Sequence, residues 1–591
     1  MPTFVIRKTQ PRRDQPRKAL LRSGRFAPAL LSCLALALAF LPGAAWAGGG
    51  HGGVAATHLG SAGPAAGQDW QPGTDWSSWQ KDLAGSRYAA GESQLTPSNV
   101  SQLTVKWAFT FPRIPGVFPG SQPAVVGSTL YVGSTDAKLY ALDAQTGAVR
   151  WVFDLTTVAG PWSNSNPNPV RDGPAVANGT VYFGDSRGYL YAVNQYTGAL
   201  RWATLLDTVN PDVEITGSPV VFGGRVYVGV SNKEAGYQQQ DLNYPCCTAR
   251  GQLVALNAAT GAVVWRHYTV PPAQPAGTWP SGATEYAPSG ISVWDTPVID
   301  PVTRTIFFGT GQNYTGTEGE TDSVLALSLD TGQVRWQFQA HSPDTFTSIC
   351  DKAQFVAYCP GAADGTDLDW DFGDSPGLFH VGKQEMLGIG SKSGVFYALD
   401  ARTGALRWSR ALTPNPQLTG GQGGVQWGTS YDGKRLYVAT WFAQPGTLFA
   451  LDPATGAIIW QDPTPSDGCT TGGAAASPGC KLGFSAAVSS SPGVVFAGNG
   501  DGKEYAYSSA TGALLWQYDT DREFQGVNGA PGFGESVSGV GGAVIADGMV
   551  YLQSGYYPLN VSSEGTVLLA MGLPGGGAAG QARAPAAHVP G

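Results

Sequence analysis

Histidine and cysteine are scarce, 6 and 7 residues in a chain of 591. The histidines are scattered without the short spacings that hold zinc, which removes zinc-enzyme chemistry. No Cys-x-x-Cys-His occurs, so no haem is attached covalently. Beyond residue 47 no stretch is long and apolar enough to span a bilayer. A serine nucleophile is missing as well. "GDSRG" at 184 and "GDSPG" at 373 have the Gly-x-Ser-x-Gly form. The first joins two strands, whereas a nucleophile elbow needs a strand feeding a helix, and no histidine lies near it in sequence. Both read as turns. "GGQGG" at 420 opens no helix and is no dinucleotide fingerprint.

Basic charge is concentrated at the N-terminal end. Arg7 to Arg25 hold eight basic residues and one acid, ahead of the apolar run "APALLSCLALALAFLPGAAWA". Ala45-Trp46-Ala47 is a small-x-small cleavage site, so residues 1–47 read as a secretory signal peptide and the expected location is periplasmic or secreted. Arg12-Arg13 is not followed by Phe-Leu-Lys, which favours ordinary over twin-arginine export, and Cys33 inside the apolar run argues against a lipoprotein anchor. Removing a net +7 from a chain of −8 leaves −15, an acidity that excludes nucleic acid and anionic membrane surfaces as partners. Six cysteines remain, an even number suited to an oxidising compartment. The economical pairing is Cys246–Cys247, Cys350–Cys359 and Cys469–Cys480. The first joins adjacent residues, whose Cα atoms stand at most about 3.8 Å apart, below the roughly 4.4–6.8 Å of ordinary disulfides. A rigid, unusual surface of that kind points to function.

What the chain has in abundance is repetition. "LYALDAQTGAVRW" at 139 recurs as "LYAVNQYTGALRW" at 190, "LVALNAATGAVVW" at 253, "VLALSLDTGQVRW" at 324, "FYALDARTGALRW" at 396, "LFALDPATGAIIW" at 448 and "EYAYSSATGALLW" at 504. Each is a strand, a Thr-Gly turn and a second strand. The aliphatic residue two before each Trp is expected to share its face, giving a sheet-on-sheet packing surface. "LTVKWAF" supplies Trp107 without a Thr-Gly partner, and "GTVLLAMGL" at 565 supplies strands without a Trp. One completes the other if the termini share a closing blade, which also removes exposed sheet edges. The expectation is an all-β, eight-bladed propeller over 69–573, with a flexible linker at 48–68 and a disordered tail at 574–591. The Trp-to-Trp spacings are longest, 63, 71 and 72 residues, in three consecutive blades, and the loops there are expected to roof one end of the channel.

Those long loops carry Glu234 in "VGVSNKEAGY", Trp294 in "ISVWDTPVID", Asn313 in "GTGQNYTG", Asp371 in "DLDWDFGDSP" and Lys392 in "GSKSGVFYALD". Carboxylate and amide oxygens suit a hard cation such as calcium. An additional Asp suits a base, a Lys a fixed positive charge and a Trp a flat platform. Taken singly, an acid on a loop is more often a solvated group and an Asn among glycines a turn.

From "WSSWQKDLAGSRYAAGESQLTPSNV" through "GVNGAPGFGESVSGVGGAV" the chain resembles the pyrroloquinoline quinone (PQQ) dependent alcohol dehydrogenases, and within them the polyvinyl alcohol dehydrogenases. The specific part is "EITGSPVVFGGRVYVGVSNKE" with "YPCCTARG", then "GTGQNYT", "DWDFG", "SKSGVFYALD" and "GGVQWG" in order. The resemblance implies that Glu234, Asn313 and Asp371 ligate calcium and that Asp371 is the catalytic base, with Asp369 and Asp344 as the nearest rivals. It implies that Lys392 bonds the reactive quinone carbonyl, that Trp294 lies beneath the ring and that Thr216 and Arg171 bind cofactor carboxylates. Gln426 and Trp427 match a cofactor-edge position, and Cys246–Cys247 a lid over the ring. Rare-earth members carry an extra Asp two residues after the base, where this chain has Gly373. The implied activity is oxidation of an alcohol, polymeric included, with electrons passed to a separate cytochrome c. Two readings compete: a non-catalytic propeller serving as an envelope assembly scaffold, and a glycan- or polymer-binding propeller. Neither gives a reason for metal-compatible acids beside a vicinal cysteine pair.

Overall fold

The computed structural model describes residues 74–575, apart from short stretches at 115–116, 118–119, 164–166, 211, 414–422, 442–445, 466–467, 471–479, 481, 485, 538, 540 and 556–565. The expected signal peptide and linker, and all of the expected tail after residue 575, lie outside the described residues.

Alternation of apolar and polar residues in each repeat makes an antiparallel strand pair, and two strands upstream complete a four-stranded sheet. Seven such blades follow in order, spanning 124–154, 175–205, 220–268, 298–339, 377–411, 430–463 and 489–519. The eighth takes three strands from 544–572, and its outermost strand is Thr104–Thr110, paired antiparallel with Val567–Gly572. The two ends of the chain therefore share the closing blade, as the repeat count requires.

Adjacent blades interlock through the repeat's own Trp and Gly. The indole Nε1 of Trp107, Trp151, Trp202, Trp265, Trp336, Trp408 and Trp460 each donates to a backbone carbonyl of the next blade's turn, at 2.9–3.1 Å. The ring lies against the turn glycine: a Cβ on Gly404 would sit 2.6 Å from Trp336 Cε3, and Gly404 has φ +72°. Both facts demand glycine.

The expected sharing of a face by Trp and the aliphatic residue two before it does not hold. Ala141 pairs with Trp151 but Leu142 with Val149, so Arg150 is bulged out and the alternation resets. The same shift recurs in the other repeats, leaving Val149, Leu200, Val263, Val334, Leu406, Ile458 and Leu514 41–48% exposed.

Inside the ring runs a strap, residues 75–90. Trp76 exchanges backbone hydrogen bonds with Val125 of blade 1, and the carbonyls of Ser77, Leu83, Ala84, Ser86 and Arg87 accept from Val176, Ile299, Leu378, Tyr431 and Ser490. The strap thus pairs with the innermost strands of blades 1, 2, 4, 5, 6 and 7, whose free edges would otherwise be unpaired. Arg87 is fully buried on it, donating to Val488 O, Trp79 O, Gln122 Oε1 and Ser489 Oγ at 2.6–2.9 Å.

Gly404→Ala should destabilise the protein by about 2–4 kcal/mol, from overpacking against Trp336 and from the left-handed φ. Gly127→Ala, at φ +55° with nothing within 4 Å of its Cβ, isolates the backbone part alone. Urea melts of the two variants measure the difference, and equal losses would refute the interlock.

Candidate active site

Two rows of residues meet at one end of the ring. Arg171, Thr216, Trp294, Asp371, Gln426 and Trp427 lie on segments that lead into, or lie just before, the innermost strand of blades 2 to 6. Glu234, Asn313 and Lys392 follow the second strand of blades 3, 4 and 5. In an antiparallel pair the start of one strand and the finish of the next share an end, so topology alone gathers both rows.

None of the three oxygen donors is a solvated surface group: Glu234, Asn313 and Asp371 are 1%, 0% and 2% exposed. Asp371 is held twice. Trp294 Nε1 donates to its Oδ2 at 2.7 Å, and Lys392 Nζ lies 2.9 Å from its Oδ1. Lys392 also donates to Asp369 Oδ1 at 3.1 Å and sits 5.3 Å from the Trp294 ring centroid. Burial opposes its charge, but Asp369 and Asp371 win and hold the ammonium above the ordinary lysine range. Burial pushes the Asp369 carboxyl well above its ordinary value against that same lysine. Among the described residues, Lys392 is thus one cation shared by two buried acids.

The rivals for the base separate geometrically. Asp344 accepts from three backbone amides, Leu368 and Asp369 on Oδ1 and Trp370 on Oδ2, at 2.7–3.1 Å. Its oxygens are committed to shaping the loop that presents Asp371. Asp369 bonds Lys392 and lacks the tie to Trp294.

Trp294 is half-buried and stands edge-on to Trp427, centroids 5.2 Å apart at 73°. Gly373 pairs with Gln426 in a short parallel ladder, which brings Gln426 and Trp427 beside the Asp371 loop. A Cβ on Gly373 would lie 2.1 Å from Trp294 Cη2, so no side chain fits there. Thr216 precedes Gly217, whose Cβ would meet Asp295 O at 2.0 Å, so Thr216 abuts the Trp294 segment, and its hydroxyl bonds Ser231 Oγ at 3.2 Å. Arg171 faces Glu214 at 3.6 Å, two residues before Thr216.

Glu234 is bound to the cysteine loop. Its carboxylate accepts from Thr248 N, Ala249 N and Tyr244 Oη at 2.5–3.0 Å, and burial raises its pKa against those bonds. Cys246 and Cys247 are disulfide-bonded, fully buried, and packed with Trp279 and Tyr314. The other two expected disulfides also form, with Cα atoms 4.8 and 5.6 Å apart. Trp279 stacks on Tyr358 at 6.4 Å, joining the loop before blade 4 to the one before blade 5. Asn313 spends Nδ2 on Glu318 O at 3.0 Å, while its Oδ1 is buried without a hydrogen-bond partner. No hydrogen bond joins the side chains of Glu234, Asn313 and Asp371 to one another.

Sequence reasoning missed the residues that connect these groups. Tyr314 Oη meets Ser292 Oγ at 2.9 Å and Asn232 O at 3.4 Å, and Asn232 Oδ1 accepts from Glu234 N at 2.6 Å. Asp322 was also missed. It is fully buried, and burial with the nearby Asp344 charge raises its pKa well above the carboxylate range. Tyr314 sits inside the quoted "GTGQNYTG", and its immediate neighbourhood to Asn313 was the only available signal.

The family described as "Glucose/ethanol/alcohol dehydrogenase, beta-propeller domain" matches residues 76–347, and that described as "Outer membrane protein assembly factor BamB" matches 391–531. Polyvinylalcohol dehydrogenase of Pseudomonas sp. is 33% identical over 521 residues, covering 85% of this chain and 77% of the relative. The protein of the same name from Sphingopyxis sp. (strain 113P3) is 32% identical over 525 residues, covering 85% and 76%. Among solved structures, quinohemoprotein alcohol dehydrogenase ADHIIG of Pseudomonas putida HK5 has the same fold. It gives a TM-score of 0.62 at 21% identity, over 88% of this chain and 83% of that one.

Lys392→Met should cost roughly 3–5 kcal/mol, because it strands two buried carboxylates. Adding Asp369→Asn should recover part of that loss, since one stranded acid is removed. Strict additivity in a double-mutant cycle would refute the shared ion pair.

Proposed function

The chain belongs to the PQQ-dependent alcohol dehydrogenase family, and we propose that it oxidises secondary or polymeric alcohols of the polyvinyl alcohol type with PQQ and calcium. The observation that carries this reading is the Trp294–Asp371–Lys392 constellation, buried at the end of the ring where the three long loops gather. Glu234, Asn313 and Asp371 would hold calcium. The unmatched Oδ1 of Asn313 and the two buried carboxylates fit a hard divalent ion, which tolerates an irregular set of oxygens better than magnesium does. The absence of room at Gly373 excludes an added carboxylate two residues after Asp371, of the kind a trivalent ion would call for. When bound, PQQ supplies the two-electron acceptor that takes the hydride of the carbinol carbon.

The protein's own residues do the rest. Asp371 takes the hydroxyl proton on the carboxylate that Trp294 and Lys392 orient. Lys392, its charge fixed by two acids, places a positive field where negative charge develops. Trp294 offers a flat face for the ring, Thr216 and Arg171 bind cofactor carboxylates, Gln426 and Trp427 border its edge, and Cys246–Cys247 stiffens the wall beside Glu234. Electrons then pass to a separate cytochrome c, and the enzyme works in the periplasm or outside the cell. No helix among the described residues is long and apolar enough to cross a membrane.

Purified mature protein should reduce dye with secondary alcohols only when PQQ and calcium are both present, and lanthanum should support less activity than calcium. No activity across a PQQ titration, with unchanged intrinsic fluorescence, would favour the scaffold. Asp371→Asn should still bind the cofactor but turn over about 10²–10⁴-fold more slowly. Normal turnover by this variant beside a dead Asp369→Asn would reassign the base.

A further inference from the structure

The strap inside the ring reaches the site through one residue that the chemistry above does not use. Trp79 is 2% exposed and forms a small cluster with Ala487, against which Trp427 packs. Trp427 meets Trp294 edge-on, and Trp294 holds Asp371. Towards blade 2, Gly173 comes so close that a Cβ there would lie 3.3 Å from Trp79 Cε3, two residues beyond Arg171. Trp79 therefore lies between the two flanks of the pocket.

Its own placement is overdetermined. Arg87 Nη1 and Gln122 Nε2 both donate to Trp79 O, at 2.6 and 3.0 Å, and the Arg87 guanidinium lies 5.3 Å from the Trp79 ring centroid. A Cβ on Gly428 would come 2.9 Å from Arg87 Cδ, so the backbone just after Trp427 also closes on this arginine. Trp427, by contrast, sits at φ +73°, a left-handed conformation that a bulky residue adopts only when its surroundings impose it. Trp79 and Ala487 are part of those surroundings, together with the Asp374 pairing and the edge of Trp294.

We propose that Trp79 is a positioning residue of the cofactor pocket, acting through Trp427 to fix the tilt of the Trp294 face offered to the quinone. The inference rests on the PQQ reading. It makes the strap a part of the pocket floor as well as a partner of the innermost strands.

The test uses the full mature chain, titrated with PQQ and calcium and followed by tryptophan fluorescence and by the absorption band of bound quinone. Trp76 is the control: it lies on the same strap, fully buried in the core of blades 1 and 8, with Arg87 5.5 Å from its ring centroid. Trp79→Leu and Trp76→Leu should both lower the melting temperature. Only Trp79→Leu should weaken quinone affinity, by about tenfold, and shift the bound-quinone band, as expected when a supporting shell loosens. Trp79→Phe, which keeps part of the flat face, should lose only about threefold. Wild-type affinity and spectrum in the Trp79 variants, or an equal loss in Trp76→Leu, overturns the proposal. If Trp79→Leu does not fold, Trp79→Phe against Trp76→Phe decides by the same criteria. A wild-type chain that takes up no PQQ brings down the cofactor reading and this inference together, whereas uptake that is indifferent to Trp79 brings down this one alone.

Discussion

An indole laid over a glycine is the contact on which the rest depends. Each clasp joins the outer strand of one blade to the turn of the next, with a hydrogen bond from Nε1 that is worth about 0.5–1.5 kcal/mol net. Its larger effect is geometric. The indole fixes spacing and the carbonyl fixes rotation, so neighbouring blades have one relative pose. Seven clasps run from Trp107 to Trp460. Trp516 has no turn glycine ahead of it, because in the eighth blade the corresponding strands, Val567–Gly572 and Thr104–Thr110, come from opposite ends of the chain. The short 3₁₀ turn Val100–Gln102 packs against the Trp516 strand in its place.

A ring whose blades cannot pivot can hold a site made of single residues from many blades. Arg171, Thr216, Trp294, Asp371 and Trp427 come from five consecutive blades. A small rotation between any two would separate them by more than a hydrogen bond tolerates. The strap adds restraint from the inside, since its pairing with six innermost strands ties the segments next to the site to a common element. Rigid support of this kind is what a pocket for a flat cofactor requires.

The fold was almost wholly legible in the sequence, because a repeated Trp and Thr-Gly turn state the period and the turn together, whereas the contact of each Trp with the next blade's glycine emerged only from the structure. The exposed aliphatic rim was not. A period of two places Val149 beside Trp151, and only the bulge at Arg150 separates them, a local choice that no alternation pattern reveals. At the site, residue types were legible and connections were not. Glu234, Asn313, Asp371 and Lys392 could be picked as chemistry-bearing residues, although Lys392 stands in the short turn 391–394 and not on a long loop. That Asp344 is spent on backbone amides, or that Tyr314 and Asn232 bridge towards Glu234, depends on loop paths set by tertiary contacts. The strap's role is not legible either, since "WSSWQKDLAGSRY" has no periodicity to read.

Charge is the second constraint on the site, because its acids are buried together. Glu234, Asp369 and Asp371 lie buried, and among the described residues Lys392 is the cation paired with two of them. With Asp322 and Asp344 also buried beside Asp369 and Asp371, the acids outnumber the one ammonium in a region of low dielectric, where unpaired charge is costly. Holding protons relieves the excess, which is the direction in which burial moves Glu234, Asp344 and Asp369. On the calcium reading proposed above, a bound cation would relieve the same excess in place of protons. The packing of Trp294 on Gly373 leaves no room for a further acid two residues after Asp371, so the excess cannot grow there.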